Sequence, residues 1–204
     1  MSPPEFGVPT PTHPSGCHIL LTGFEPFTTG HGLTLDHNPT ADIVENVGRS
    51  LPTVEFAVLP VSYEETPRAL NRAIQEYRPR MWIGLGYAPH RTILDFEVFA
   101  LNMAHATRGD NDGERPRLTE IIPGAPHAYR TRLDVKAAID VLSAHGVPTQ
   151  PSFHAGTFLC NQSFYLASHQ VALGRLSLSA FVHVPPMKNY APFEAGLTAL
   201  LQTL

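Results

Sequence analysis

The sequence is poor in three features: cysteine, lysine and long apolar runs. Its 204 residues include only two cysteines, Cys17 and Cys160, which are too few for the disulfide framework of a secreted protein. The only lysines are Lys136 and Lys188, and the formal net charge is -4, so no basic face is available to bind nucleic acid. No apolar run reaches the length of a membrane-spanning helix, and no secretory signal begins the chain. These absences predict a cytoplasmic protein that binds neither nucleic acid nor membranes.

The rest of the composition is that of a globular protein. Hydrophobic residues make up 43% and charged residues 16%, and the length suits one domain with a sizeable core. Residues 1–16 are rich in Pro, Ser, Thr and Gly and show no hydrophobic period. We therefore expect a flexible tail over residues 1–16 and a single domain over residues 17–204.

Short apolar runs alternate with longer segments of helical period, a pattern typical of strands joined by crossover helices. The runs predict strands over residues 18–22, 56–60, 81–87, 92–101 and 180–184. The helical segments predict helices over residues 39–50, 64–77, 133–145, 160–172 and 192–204. Residues 102–129 show little periodicity, and loops of that length are often lids or assembly arms. The pattern predicts an α/β fold.

Familiar catalytic and cofactor motifs are absent. The chain has no G-x-S-x-G, no H-E-x-x-H and no P-loop. Gly84 and Gly86 resemble the start of a dinucleotide fingerprint, but Pro89 stands at the third glycine position. The histidines show no metal-ligand spacing. We expect no cofactor and no metal.

The segment 155–161 (AGTFLCN) delivers Cys160 to the start of a predicted helix. The helix dipole and the free first-turn N–H groups there would lower the pKa of the thiol and could bind an oxyanion. His183, within an apolar strand, is the candidate base, and a carboxylate would complete the set. The alternative is a small core cysteine and a satisfied core histidine. The residue types alone leave both open.

Strand ends and helix starts gather at one edge of a parallel sheet, so residues 23–27, residues 86–91 and Cys160 are expected to converge. This edge is predicted to be aromatic and largely uncharged. Phe24 and Phe27 follow a buried strand, where polar turn residues are usual, and so suggest a pocket for a flat, neutral ring.

Six motifs, in order, resemble those of the type I pyroglutamyl peptidases, also called pyrrolidone carboxyl peptidases. The resemblance runs from about His18 to the C-terminal helix. The motifs are residues 21–27 (LTGFEPF), 38–40 (NPT), 59–62 (LPVS), 86–102 with Arg91, Glu97, Ala100 and Asn102 in register, 155–161 (AGTFLCN) and 181–185 (FVHVP).

The resemblance implies a cysteine peptidase that removes N-terminal pyroglutamate from peptides. Its triad would be Cys160 as nucleophile, His183 as general base and acid, and Glu97 as the group that orients the imidazole. It implies substrate binding by the residues at Phe24, Phe27, Asn38, Tyr87, Arg108 and Leu159, with the two phenylalanines sandwiching the ring. It also implies an oxyanion hole at Cys160 and Thr107.

The resemblance further implies a phosphorylase/hydrolase-like three-layer αβα sandwich. The central sheet would be mostly parallel with helices on both faces, and bacterial members are often homotetramers.

The chain departs from the family pattern in two loops. Thr28 and Thr29 replace glycines, and residues 31–37 lengthen the loop that leads away from Phe27. Within residues 104–111, His105 stands where the family usually has an acid, and Thr107 stands where it has a basic residue. Arg108 replaces an aliphatic residue, and Gly109 replaces a proline. The aliphatic contact on the substrate ring would be lost unless the stem of Arg108 replaces it.

Two other functions remain open. The altered segment 107–109 could spoil catalysis and leave a protein that binds pyroglutamate or a similar lactam. The expected architecture is also shared with nucleoside phosphorylases, although no phosphate-binding motif supports that hypothesis.

Overall fold

The computed structural model of the chain describes residues 18–28 and 34–204. The predicted tail, Cys17, Thr29 and the start of the lengthened loop lie outside the described residues. None of the helices within the described part is both long and apolar enough to cross a membrane.

Eight strands and five helices make up the described chain. The strands are β1 (Ile19–Phe24), β2 (Val54–Leu59), β3 (Met81–Tyr87), β4 (Leu94–Glu97), β5 (Phe99–Leu101), β6 (Ala128–Arg130), β7 (Thr149–Ser152) and β8 (Leu178–Val184). The helices are α1 (Pro39–Ser50), α2 (Glu65–Tyr77), α3 (Val135–Ala144), α4 (Leu159–Ala172) and α5 (Ala191–Gln202).

Six strands form the central sheet, in the order β2-β1-β3-β8-β4-β7. The first four are parallel, β4 runs antiparallel to β8, and β7 runs parallel to β4. Helices α1, α3 and α5 cover one face around a core that includes Leu21, Phe96 and Val182. Helices α2 and α4 and the two-stranded sheet of β5 and β6 cover the other face, whose core includes Trp82, Phe164 and Phe181. This is the predicted three-layer α/β arrangement with a mostly parallel sheet.

The first strand is longer than predicted, because β1 continues through Gly23 to Phe24. A Cβ atom at Gly23 would lie 2.5 Å from the carbonyl oxygen of Thr40, so the glycine permits a close approach of α1 to the strand. The N–H of Phe24 donates to Oγ1 of Thr40. This contact fixes the strand end against the start of the helix.

The prediction of a single strand over residues 92–101 is wrong. The chain leaves the central sheet at Val98, between β4 and β5, and the two strands belong to different sheets. The N–H of Val98 donates to Ser152 and its carbonyl accepts from Thr131, so the crossing residue remains hydrogen-bonded. Strand β7 was not predicted, because its sequence TQPS is short, polar and interrupted by proline.

Much of the region 102–129 is irregular, as predicted, and the side chain of Asn102 organises it. Its Nδ2 donates to the carbonyls of Ile122 and Ala125, while its Oδ1 accepts from Ile121 and Ile122. The region also holds a bridge between Ala104 and Thr119 and the start of β6. One buried amide thus replaces regular secondary structure as the support for this loop.

Candidate active site

Strand alternation places the polar side chains of β4 and β8 on the face covered by α4. Val182 and Val184 point into the opposite core, so His183 between them faces α4. The same period on β4 turns Asp95 and Glu97 toward α4. An acidic pair and a histidine therefore share one buried surface.

His183 and Glu97 are joined by a short hydrogen bond. Nδ1 of His183 lies 2.6 Å from Oε1 of Glu97, and the Glu97 side chain is completely buried. Nη1 of Arg91 lies 3.0 Å from the same oxygen and 2.5 Å from Oδ2 of Asp95, whose other oxygen accepts from Gln150. Because the carboxylate accepts the proton on Nδ1, it leaves Nε2 of His183 free to act as a base. Sequence reasoning missed the partnership of Asp95 and Gln150, which only the pairing of β4 with β7 reveals.

Helix α4 begins at Leu159, which places Cys160 in its first turn, as predicted. The next residue, Asn161, is fully buried and ties this turn to the end of β5. Its Oδ1 accepts from the N–H of Leu101, and its Nδ2 donates to the carbonyls of Leu101 and Met103. The amide of Asn161 thus fixes the position from which Cys160 projects.

The sulfur of Cys160 lies over Gly86, where a Cβ atom would be only 2.8 Å from Sγ. Gly86 on β3 is the register partner of His183 on β8, so the sulfur of Cys160 lies over the strand next to the one that carries the imidazole. A glycine inside a strand often marks such a close approach. In the sequence, Gly86 resembles only part of a dinucleotide motif, and no local signal there predicts its contact with the sulfur.

The predicted lowering of the Cys160 pKa is wrong. Burial, reinforced by the negative charge of Glu97, raises the pKa of the thiol to about 12. The charges of Arg108 and Arg91 and the residue's own N–H act in the opposite direction but are weaker. Burial also lowers the pKa of His183 below its ordinary value, although Glu97 opposes this. At neutral pH the site therefore holds a thiol and an uncharged imidazole.

A cavity of about 450 Å³ opens beside Cys160 and His183. It brings together all six predicted substrate-binding residues, namely Phe24, Phe27, Asn38, Tyr87, Arg108 and Leu159. Glu97 lies behind His183 and does not line the cavity. Thr107, expected at the oxyanion hole, is exposed and is not among the lining residues.

The side chain of Asn38 serves the backbone around the cavity. Its Oδ1 accepts from the N–H and hydroxyl of Thr40, and its Nδ2 donates to the carbonyl of Glu25. It is the predicted N-cap of α1. Asn38 thus holds together the elements that present Phe24.

The edge was predicted to be aromatic and largely uncharged, and the charged side chains that line the cavity are two arginines, Arg91 and Arg108. Arg91 is bound to carboxylates, whereas Arg108 is held between aromatic rings. The guanidinium carbon of Arg108 lies 5.1 Å from the ring centre of Phe27 and 4.4 Å from that of Phe158. The guanidinium of Arg108 therefore lies against two aromatic rings of the cavity wall. No cluster of three or more His, Cys, Asp or Glu side chains that could hold a metal ion occurs in residues 18–28 and 34–204.

The sequence and the fold were compared with those of known proteins to find the family of this chain. The family model described as pyroglutamyl peptidase matches residues 17–197. The chain belongs to the pyroglutamyl peptidase family. The resemblance noted in the sequence, and the peptidase function it implied, are thereby confirmed, and no comparison supports the lactam-binding alternative.

Curated relatives span most of the chain. The pyrrolidone-carboxylate peptidase of Pseudomonas fluorescens is 37% identical over 194 residues, which is 91% of this chain and 86% of the relative. Pyrrolidone-carboxylate peptidase 1 of Saccharolobus solfataricus is 34% identical over 176 residues, covering 85% and 81% of the two chains.

Solved structures of this pyroglutamyl peptidase family share the fold. A mutant pyrrolidone carboxyl peptidase from Pyrococcus furiosus superposes with a TM-score of 0.82 at 30% identity, covering 92% of this chain and 100% of that one. The pyrrolidone carboxyl peptidase of Thermococcus litoralis gives a TM-score of 0.83 at 29% identity, with 91% and 92% covered. The predicted three-layer fold class is confirmed.

Proposed function

We propose that the chain removes N-terminal pyroglutamate from peptides through a thioester on Cys160. One observation carries the proposal: the sulfur of Cys160 lies over Gly86 of β3, and His183 is the register partner of Gly86 on the neighbouring strand β8. Nδ1 of His183 is in turn hydrogen-bonded to Glu97. A nucleophile and a base thus line one cavity, and a carboxylate behind the base orients it, in a member of the pyroglutamyl peptidase family.

The first step follows from the protonation states. Neutral His183 accepts the thiol proton at Nε2 as sulfur attacks the scissile carbonyl carbon, so the charged pair forms only during attack. Glu97 stabilises the imidazolium, and Arg91 and Asp95 hold that carboxylate in place. In this account the raised thiol pKa delays ionisation until substrate is bound.

Backbone N–H groups of the first turn of α4 stabilise the tetrahedral oxyanion. Cys160 stands in the first turn of α4, where the backbone N–H groups have no acceptor within the helix and can donate to an oxyanion. When the intermediate collapses, the C–N bond breaks and His183 protonates the leaving amine. His183 then takes a proton from water, which attacks the thioester and releases pyroglutamate and the free thiol.

The cavity suits an uncharged cyclic amide. Phe24 and Phe27 supply apolar faces, and the chain around Tyr87 supplies main-chain hydrogen-bonding groups for the lactam. The ring is too small to fill about 450 Å³ alone, which leaves room for the next residue of the peptide.

The proposed activity is tested with pyroglutamyl-coumarin and with prolyl-coumarin, whose ring lacks the lactam carbonyl. We expect the reduced enzyme to release coumarin from the first and not from the second. Equal release from both, or none from the first, would contradict the proposed substrate.

Three broader features are proposed with this activity. Residues 17–204 act as one peptidase domain, which the family match over residues 17–197 supports. The chain works as a homo-oligomer, a tetramer, as the family resemblance in the sequence implies for bacterial members. It acts in the cytoplasm, where the thiol stays reduced. Limited proteolysis, light scattering and cell fractionation test these features in turn.

A further inference from the structure

Arg108 places a positive charge in the cavity without an anion beside it. Its guanidinium is half-buried, and no Asp or Glu among residues 18–28 and 34–204 forms an ion pair or hydrogen bond with it. Arg91, the other arginine of the cavity, by contrast forms ion pairs with Asp95 and Glu97 through Nη1. Arg108 is thus the available cation of the described cavity wall.

The aromatic contacts of Arg108 leave its hydrogen-bond donors free. Phe27 and Phe158 lie against the guanidinium, and an aromatic ring attracts the charge without accepting the N–H groups in the guanidinium plane. The two rings also restrict the side chain, which lowers the entropy lost when a ligand binds. This geometry preorganises Arg108 for a planar, two-oxygen acceptor.

The surroundings favour a negatively charged acceptor. The lining residues include no Asp or Glu, and His90 and His154 are exposed at the cavity wall. Asp110 is close in sequence, but its oxygens accept from the backbone N–H groups of Tyr63, Asp112 and Glu114. Burial of Arg108 lowers its pKa, which reflects the loss of water around the charge.

The acceptor must belong to the part of the substrate that leaves. The pyroglutamyl ring carries no charge, so a carboxylate near the scissile bond can come only from the residue that follows it. The positive charge of Arg108 acts on the Cys160 thiol and lowers its pKa, although burial raises that pKa by more. Arg108 therefore lies within electrostatic reach of the bond that is cleaved.

Resting on the proposed peptidase activity, we propose that Arg108 selects peptides with a carboxylate on the residue after pyroglutamate. The carboxylate is either an acidic side chain or the free α-carboxylate of a dipeptide. Both present the same two oxygens to the guanidinium.

Two substrate pairs test the proposal and separate the two sources of the carboxylate. Pyroglutamyl-glutamate amide is compared with pyroglutamyl-glutamine amide, and pyroglutamyl-alanine with its own amide. For at least one pair, we expect kcat/KM to favour the carboxylate about tenfold, as for a partly desolvated ion pair. A response confined to the first pair assigns the side chain, and one confined to the second assigns the α-carboxylate.

The ratio within each pair is then measured in variants, so that any general loss of activity cancels. Arg108→Gln should bring the ratio to about one, and Arg108→Lys should keep part of it because the charge remains. Arg115→Gln removes an exposed arginine that does not line the cavity, and it should leave the ratio unchanged.

A parent ratio near one in both pairs would overturn the proposal, and so would a ratio that survives in Arg108→Gln. If Arg108→Gln is too inactive to measure, the parent enzyme is tested alone at different salt concentrations. Its kcat/KM ratio within a substrate pair should fall as salt rises from about 20 mM to about 500 mM. An unchanged ratio would then contradict the role of charge. If the parent enzyme cleaves neither pyroglutamyl-coumarin nor a single one of the four peptides, the peptidase activity itself is refuted.

Discussion

Oε1 of Glu97 lies 2.6 Å from Nδ1 of His183, across the antiparallel pairing of β4 with β8. The same oxygen is 3.0 Å from Nη1 of Arg91, so the carboxylate is held from two sides. Its other oxygen is buried with no hydrogen-bond partner in the described chain. A carboxylate fixed in this way determines both the tautomer and the orientation of the imidazole.

Replacing Glu97 with glutamine should preserve the shape of the site but disrupt its chemistry. The amide can donate to Nδ1 and stabilise the wrong tautomer, so we expect kcat/KM on pyroglutamyl-coumarin to fall by about 100- to 10,000-fold. Glu55→Gln, on the exposed side of β2, is the matched control and should retain parental activity. Activity within about threefold of the parent in Glu97→Gln would show that the carboxylate does not orient the base.

Gly86→Ala tests the packing of the nucleophile. The added methyl would lie 2.8 Å from Sγ of Cys160 and 2.8 Å from Phe181, so the sulfur must move away from its place beside His183. We expect at least a tenfold loss of kcat, since small misplacements of reacting groups are costly. Gly196→Ala on α5 meets a flexible leucine end at 3.0 Å and should keep normal activity. Full activity of Gly86→Ala would show that the Cys160 sulfur does not lie over Gly86 during the reaction.

The pH dependence of thiol alkylation tests the protonation state of the free enzyme. Only the thiolate reacts readily, and burial raises the pKa of Cys160 to about 12, so the thiolate fraction is small at neutral pH. The rate of inactivation by iodoacetamide should therefore keep rising with pH through the alkaline range. A plateau already present below neutral pH would reveal a preformed thiolate and imidazolium pair.

The acid side of the activity profile reports on His183. Burial lowers the pKa of its imidazole, so the base stays uncharged to a lower pH than an ordinary histidine. We expect kcat/KM to decline only below about pH 6.5, the usual histidine value. A decline centred above that value would mean that Glu97 outweighs burial.

Asn161→Ala tests the support beneath the nucleophile. The change leaves the N–H and carbonyl of Leu101 and the carbonyl of Met103 without the buried amide that pairs with them. We expect urea unfolding to show a loss of roughly 2 to 4 kcal/mol of stability. The exposed Asn46→Ala, which removes one bond to Glu194, should change stability by less than about 0.5 kcal/mol. A smaller loss for Asn161→Ala than for Asn46→Ala would contradict this role.

The sequence predicts well those features that depend on local order. The cap at Asn38 with Pro39 locates α1, and the turn before Cys160 locates α4. Features that depend on pairing across the chain were predicted poorly. The split at Val98 and the short strand β7 are set by which strands become neighbours, and a period-two pattern does not contain that information.

The site shows the same division. The motifs predict Cys160, His183 and Glu97 as a triad, because each stands in a distinctive local segment, and the structure brings these segments together. The pKa of the thiol was predicted in the wrong direction, because the helix dipole is a local property whereas burial depends on the whole fold. The stacking of Arg108 between Phe27 and Phe158 likewise joins three separate loops.

The central claim, that Cys160 carries the acyl group, is tested most directly by mass spectrometry of enzyme quenched in acid during turnover of pyroglutamyl-coumarin. The account predicts a single pyroglutamyl adduct that peptide mapping assigns to Cys160, and neither adduct nor turnover in Cys160→Ala. Coumarin release by Cys160→Ala at the parental rate, or an adduct on another residue, would contradict it.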